Sequence, residues 1–231
     1  LVATVITTMV TVLTFTHGMP AVSSLIAHAV PDQISRRMAE ETLTQIDELW
    51  LSTTSLSDQR QQELRDHFAP LLATEKDYRF NVLFRDGDSV GANALALPDG
   101  TIIFTDQMVA LAEHPNELAH EMGHVVSHHG MQGVVQSSLV SWVIVTMTGD
   151  LSAAFDLVVV APAVLMNLSY SRAMEREADA YALDLMLEQG LDPRHFSNLM
   201  LRLEASHGGT EQDAENDDQG GGWGDRAGSM L

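Results

Sequence analysis

The sequence predicts an α+β fold that is mainly helical. Apolar residues recur at helical spacing along most of the chain, and between positions 78 and 105 the period changes to the alternation of strands. With 231 residues, of which 45% are hydrophobic, the chain suits one domain with appendages and can build a sizeable core. A wholly disordered chain is thereby excluded.

The balance of charge restricts the partners. There are 32 acidic and 12 basic residues, which give a formal net charge of −20. A protein that binds a phosphate backbone needs a basic face, so we expect no nucleic-acid partner. Cysteine is absent, which excludes disulfides, a zinc ribbon and a cysteine nucleophile.

The chain opens with an apolar run at residues 1–16. A full membrane span takes about 20 residues, so the run is the end of a transmembrane helix or the apolar part of a signal peptide. A partial anchor is favoured because no small-residue cleavage site follows; a buried helix or strand is the alternative. We expect an anchor and linker at 1–31, a folded domain at 32–207 and a disordered, acidic, glycine-rich tail at 208–231.

Helices are predicted on both sides of the strands. One covers 32–51, and Ser57 can cap a second whose buried stripe includes Leu64 and Phe68. A break at 114–116 starts another, which we expect to end at Gly130. The apolar stretches 134–147 and 151–168 are either core helices or a membrane-dipping hairpin, and a long helix follows at 171–189.

Three short strands are predicted between these helices. Val82 and Phe84 share one face of the first, and turn residues at 98–100 join the runs 92–97 and 101–105 into a hairpin. Thr105 or Asp106 then caps a short helix. We place the strand 101–105 at a sheet edge, where an extended peptide could pair with it.

The strongest chemical signal is the H-E-x-x-H motif that begins at His120 and ends at His124. Residues four apart on a helix point the same way, so both imidazoles can occupy corners of a tetrahedral Zn²⁺ site. Glu121 lies about 100° around the axis from His120, where it can take a proton from water that the metal activates. A surface helix with two unrelated histidines is the alternative.

A zinc site with two histidines needs a third protein ligand and an open position. Glu175 could complete the set, and Asp179, one turn later, could accept a hydrogen bond from a ligand histidine. The alternative is a solvated charged face, to which Glu177 is assigned. His128 and His129 are expected to interact with the C-terminus of their helix.

Two stretches, 116–126 and 170–180, together resemble the M48 family of zinc metallopeptidases, and 91–102 looks like the segment before its active helix. The resemblance covers about residues 60–205 and is closest to membrane-anchored bacterial members. It implies a gluzincin fold with a small sheet beside the active helix. It also implies one zinc ion per chain held by His120, His124 and Glu175, with Glu121 as catalytic base and Asp179 behind a ligand.

The sequence departs from that family in two places. Glu117 stands only three residues before His120, so the active helix is expected to begin about one turn late. The His-Pro segment that relatives carry after the last helix is absent, and the chain instead ends in a glycine-rich tail.

The resemblance leads to a zinc metalloendopeptidase that hydrolyses misfolded or membrane-associated proteins. A membrane-tethered, zinc-containing binding module without catalysis, or a latent protease, is the alternative. Few basic residues precede Arg36, which favours the non-cytoplasmic side for the domain. The expected location is therefore a bacterial inner membrane, with the domain on the periplasmic side.

Overall fold

The computed structural model of the chain describes residues 2–114, 119–148, 171–203 and 205. Helices predominate in these ranges, and a small sheet lies among them. The prediction of a mainly helical α+β fold is confirmed.

The elements follow one another in a simple order. The first helices are α1 (Val2–Leu13), α2 (Met19–Ala29), α3 (Asp32–Leu49) and α4 (Asp58–Leu72), with a π-helical stretch, Thr14–Gly18, between α1 and α2. The strands are β1 (Ser52–Thr53), β2 (Asn81–Asp86), β3 (Ala94–Ala96) and β4 (Thr101–Thr105). The later helices are α5 (Asp106–Leu111), α6 (Ala119–Val126), α7 (His129–Thr148), α8 (Arg172–Glu188) and α9 (194–203).

The sheet is mixed, with the order β1-β2-β4-β3. Strands β3 and β4 form the predicted antiparallel hairpin, and β2 pairs with β4 in parallel. The hairpin turn depends on Gly100, whose φ is 93° and whose added Cβ would lie 2.3 Å from the carbonyl oxygen of Arg79. The prediction that residues 101–105 form a sheet edge is wrong, because β4 has neighbours on both sides. The edge strand of the hairpin is β3.

Each face of the sheet is covered by helices. Every second residue along the strands, such as Phe84 or Ile102, packs into one core with side chains of α4, α6, α8 and α9. Their neighbours, such as Ile103, enter a second core against α3, where Ile46 is fully buried. Burial on both faces follows from the period of two in the strands.

Two predicted helix caps are present. The Oγ atom of Ser57 accepts a hydrogen bond from the backbone N–H of Arg60 at the start of α4. The Oγ1 atom of Thr105 does the same for Met108 at the start of α5. Each cap satisfies a backbone donor that has no partner within its helix.

The helix with the H-E-x-x-H motif ends earlier than predicted. It stops at Val126, and His128 adopts a left-handed conformation with a φ of 54°. Helix α7 then begins at His129, so Gly130 lies inside it. The side chain of Gln132 donates a hydrogen bond to the carbonyl of Ser127 and braces this turn.

The N-terminal segment Val2–Ala29 is helical and, within the described ranges, is the one helix that is long and apolar enough to cross a membrane. Its apolar side chains are exposed, for example 73% at Val2 and 74% at Leu25. Ser23 and Ala27 are the buried residues of α2, which packs against α7. The stretch 151–168 and the tail from 208 onward lie outside the described residues.

Candidate metal centre

Helix α6 presents both histidines of the motif on one buried side. The side chains of His120 and His124 are 7% and 2% exposed, and their Nε2 atoms lie 3.0 Å apart. Met122 and Val125 belong to the hydrophobic core and fix the rotation of the helix. The spacing of four residues therefore brings the two imidazoles together, as expected for positions i and i+4 on a helix.

A close approach of two helices sets the depth of the site. A Cβ atom added at Gly123 would lie 2.8 Å from Cα of Ala178, which is closer than side chains can come. Gly123 on α6 therefore lets α8 approach backbone to backbone. Ala178 and Ala182 on α8 are fully buried at this crossing.

Helix α8 brings a carboxylate to the imidazole pair. Ser171 caps the helix by accepting a hydrogen bond from the N–H of Met174, and Glu175 stands in the first turn. Its Oε2 atom lies 3.4 Å from Nε2 of His120, and its Oε1 atom lies 3.8 Å from Nε2 of His124. The packing of α6 on α8 thus brings Glu175 to contact distance of His124, which lies 51 positions earlier in the sequence.

The three donors fit a zinc ion. One ligand atom from each of His120, His124 and Glu175 lies within 4.8 Å of the others. Ligand atoms at the usual zinc distances in a tetrahedron are about 3.3 Å apart. The observed distances of 3.0, 3.4 and 3.8 Å bracket that value. Two imidazole nitrogens and one carboxylate oxygen are also the donor types that zinc takes in catalytic sites.

The outer side of His120 faces an acid and an aromatic ring. The Oδ1 atom of Asp179 lies 3.1 Å from Nδ1 of His120, within ion-pair distance but outside hydrogen-bonding geometry. Phe196, on α9, stacks on the imidazole with ring centroids 5.4 Å apart. Phe196 also belongs to the hydrophobic core, and no local pattern in the sequence indicates its contact with His120.

The outer side of His124 faces another histidine. The Nδ1 atoms of His124 and His129 lie 2.9 Å apart, and His129 is fully buried. The Nε2 atom of His129 lies 3.4 Å from Oε2 of Glu177. The expectation that His129 interacts with a helix C-terminus is therefore wrong. The side chain of Glu177 is 62% exposed, in agreement with its assignment to a solvated face, but it also reaches His129.

The electrostatics of the two imidazoles differ. Burial alone lowers the pKa of His120, but the hydrogen bond that its ring donates to Glu175 and the charges of Glu121, Glu175 and Asp179 outweigh it and raise that pKa above its usual 6.5. Burial, with smaller contributions from His120 and His129, lowers the pKa of His124 to about 2. The site thus concentrates negative charge around His120, where a cation would be stabilised.

Glu121 follows His120 on the same helix and is half-buried. Burial raises the pKa of its carboxyl group, and the charge of Glu175 adds to that effect while His120 opposes it. A carboxylate with a raised pKa accepts protons more readily near neutral pH. Residues 115–118, on which the predicted late start of the helix depends, lie outside the described residues.

A helix that carries H-E-x-x-H, a later glutamate on a second helix and a small sheet beside them define a zincin-type domain. The sequence model of peptidase family M48 matches residues 54–214. The chain belongs to peptidase family M48. The fold and the resemblance predicted from the sequence are confirmed by this match.

Two relatives are proteins named mitochondrial metalloendopeptidase OMA1. The chain is 34% identical to that of Arabidopsis thaliana over 106 residues, which cover 44% of this chain and 21% of the relative. It is 28% identical to that of Schizosaccharomyces pombe (strain 972) over 120 residues, which cover 50% of this chain and 36% of the relative. The chain therefore matches only about a fifth to a third of these relatives' length. Their names support the prediction of a metalloendopeptidase.

Proposed function

We propose that the chain is a zinc-dependent metalloendopeptidase that hydrolyses peptide bonds in misfolded or membrane-associated proteins. The observation that carries the proposal is the convergence of His120, His124 and Glu175 at tetrahedral spacing. The family match and the names of the relatives agree with it.

In this proposal His120, His124 and Glu175 hold one zinc ion per chain. When bound, zinc supplies a Lewis acid that makes water nucleophilic near neutral pH and polarises a carbonyl group. Asp179 orients His120, since a small rotation would align its carboxylate with the outer N–H of that ring.

Glu121 is the proposed general base. It accepts a proton from the attacking water and then donates that proton to the leaving amine. Two observations support this role: Glu121 is adjacent to His120 on α6, and it is not among the three converging donors. The raised pKa of Glu121 suits both the acceptance and the return of the proton.

The substrate is proposed to bind along β3, the edge strand of the hairpin. This strand lies against α6, and its outer main-chain groups can pair with an extended peptide. Pairing through main-chain hydrogen bonds favours unfolded segments of many sequences over folded proteins.

Membrane attachment is proposed through Val2–Ala29. In α1, which is described in full, all residues are exposed, as a helix in lipid requires. Residues 1–31 would serve as anchor and linker, and 32–207 as the catalytic domain. The proposed location is a bacterial inner membrane, and the sparse basic residues before Arg36 favour the periplasmic side for the domain.

The experiment compares the parent with Glu175→Ala and with Glu188→Ala, a control at the exposed end of the same helix. The parent and the control should hold one zinc per chain and cleave denatured casein until a chelator is added. Glu175→Ala should lose most of its zinc and its cleavage. Bound zinc without chelator-sensitive cleavage would instead indicate the binding module, and cleavage only after truncation would indicate a latent protease.

A further inference from the structure

His129 is buried at the first position of α7 and touches a proposed zinc ligand. It lies outside the H-E-x-x-H motif, and the peptidase mechanism described above makes no use of it. Its Nδ1 atom stands 2.9 Å from Nδ1 of His124, and the two rings are nearly perpendicular, at 68°. A fully buried imidazole this close to another restricts where each ring can carry its hydrogen.

The positions of the hydrogens follow from the geometry. Nε2 of His124 faces Nε2 of His120 and Glu175, so in the metal site it must be free of hydrogen. The neutral ring then carries its hydrogen on Nδ1 and donates it to His129. His129 accepts on Nδ1, carries its own hydrogen on Nε2 and points it toward Oε2 of Glu177 at 3.4 Å.

We infer that His129 is a positioning residue for His124 and that Glu177 holds His129 in the tautomer this role requires. The inference deepens the proposed function and rests on it. Outer partners of this kind fix the orientation and the tautomer of a ligand histidine. Here the partner is a second imidazole, and the carboxylate stands one step further out.

The fold supplies a reason for the contact. In an unbroken helix His129 would lie about 140° around the axis from His124 and could not face it. The left-handed conformation of His128 ends α6 and starts α7 in a new direction, which returns His129 to His124. Gln132, through its hydrogen bond to Ser127, braces the same turn.

The test uses the full chain in detergent and measures zinc affinity by competition with a chromophoric chelator. His129→Leu introduces an apolar side chain of similar bulk that lacks the hydrogen-bond acceptor. It should weaken zinc binding by about 10- to 100-fold. His129→Asn is smaller but places an amide oxygen near the position of Nδ1, and should recover most of that loss. The absorption bands of the cobalt-substituted protein should change in the leucine variant and return toward the parent in the asparagine variant.

A packing role predicts the opposite order, because leucine would fill the site and asparagine would leave a cavity. Zinc affinity that survives His129→Leu but falls in His129→Asn would overturn the inference. A far-ultraviolet circular dichroism spectrum of each variant checks the fold.

Glu177 gives a second test that does not endanger the fold, since its side chain is 62% exposed. Glu177→Ala should weaken zinc binding less than His129→Leu but more than Glu188→Ala, the control on the same helix. Equal affinities for Glu177→Ala and Glu188→Ala would overturn the role of Glu177.

The parent protein separates the two proposals. A parent that binds zinc and cleaves casein, with unchanged affinity in His129→Leu, would overturn this inference alone. A parent that binds no zinc would overturn the proposed function and this inference with it.

Discussion

The two histidines of the candidate metal centre come from one helix but have opposite surroundings. His120 is flanked by carboxylates from Glu175, Glu121 and Asp179, and its pKa is raised. His124 is buried against His129, and its pKa is lowered to about 2. Four residues along α6 thus separate a ring held in a field of negative charge from a ring held in its neutral form.

Part of this difference comes from the helix that packs against both rings. Helix α8 supplies acids to both sides, with Asp179 behind His120 and Glu177 behind His129. The acid reaches His120 directly, whereas on the side of His124 an imidazole stands between. A metal centre built this way attracts the cation on one side and orients a neutral ring on the other.

The largest expected effect tests the acidic side. Glu121→Gln should lower kcat/KM for casein cleavage by about 10²- to 10⁴-fold, because the amide cannot accept the proton from water. Zinc content should match that of the parent, since Glu121 is not among the three converging donors. The measurement pairs a proteolysis assay with metal analysis. Cleavage at the parent rate would contradict the assignment of the base.

The next effect compares the two outer partners directly. Asp179→Ala removes the acid 3.1 Å from Nδ1 of His120, and should weaken zinc affinity by about 10- to 100-fold. Chelator competition measures this loss beside that of His129→Leu. Glu188→Ala again serves as the control on α8. An affinity equal to that of the control would show that Asp179 does not support the ligand.

The pH dependence of zinc binding should distinguish the protonation of His120 from that of His124. Zinc requires both imidazoles without a proton on the ligating nitrogen. Because the pKa of His120 is raised above 6.5 and that of His124 is lowered to about 2, only His120 must lose a proton as the pH rises toward neutrality. Zinc affinity should therefore fall by about tenfold for each pH unit below the pKa of His120.

Competition titrations measure that slope between pH 5 and 7, which is roughly the range in which histidine titrates. A slope of about a hundredfold per unit would mean that both rings release protons and that His124 is not held neutral.

The smallest effect concerns the helix that carries the acids. Ser171→Ala removes the cap of α8 and should lower the free energy of unfolding by about 1 kcal/mol. Ser57→Ala removes the equivalent cap of α4, away from the three donors, and should cost a similar amount. Denaturant titration measures both. Only Ser171→Ala should also weaken zinc binding, and an equal loss of affinity in both variants would contradict the link to Glu175.

Much of the local structure could be predicted from the sequence because it depends on neighbouring residues. The stripe of Leu64 and Phe68 is buried as its helical spacing predicted, and Ser57 and Thr105 cap their helices. The imidazole pair also follows from spacing within one helix. Glu175 could be proposed as the third ligand from the needs of a two-histidine zinc site and from the family resemblance, but no local pattern indicates that α8 packs on α6.

What could not be predicted depends on contacts between distant segments. The parallel pairing of β2 with β4 puts β4 inside the sheet, and alternation along a strand cannot indicate its neighbours. Glycine is the usual stop signal and predicts that α6 ends at Gly130, yet the chain turns at His128. This turn changes the direction in which His129 points, so spacing along one continuous helix does not predict its contacts with His124 and Glu177.

The packing of α2 against α7 limits how far the candidate metal centre can lie from the proposed membrane anchor. Helix α7 starts three residues after α6 ends and spans 20 residues, or about 30 Å. On the proposed membrane attachment, the scissile bond must come within roughly that height of the lipid. Proteins free in solution would then be poor substrates. Extramembrane segments of proteins in the same bilayer would be the accessible ones.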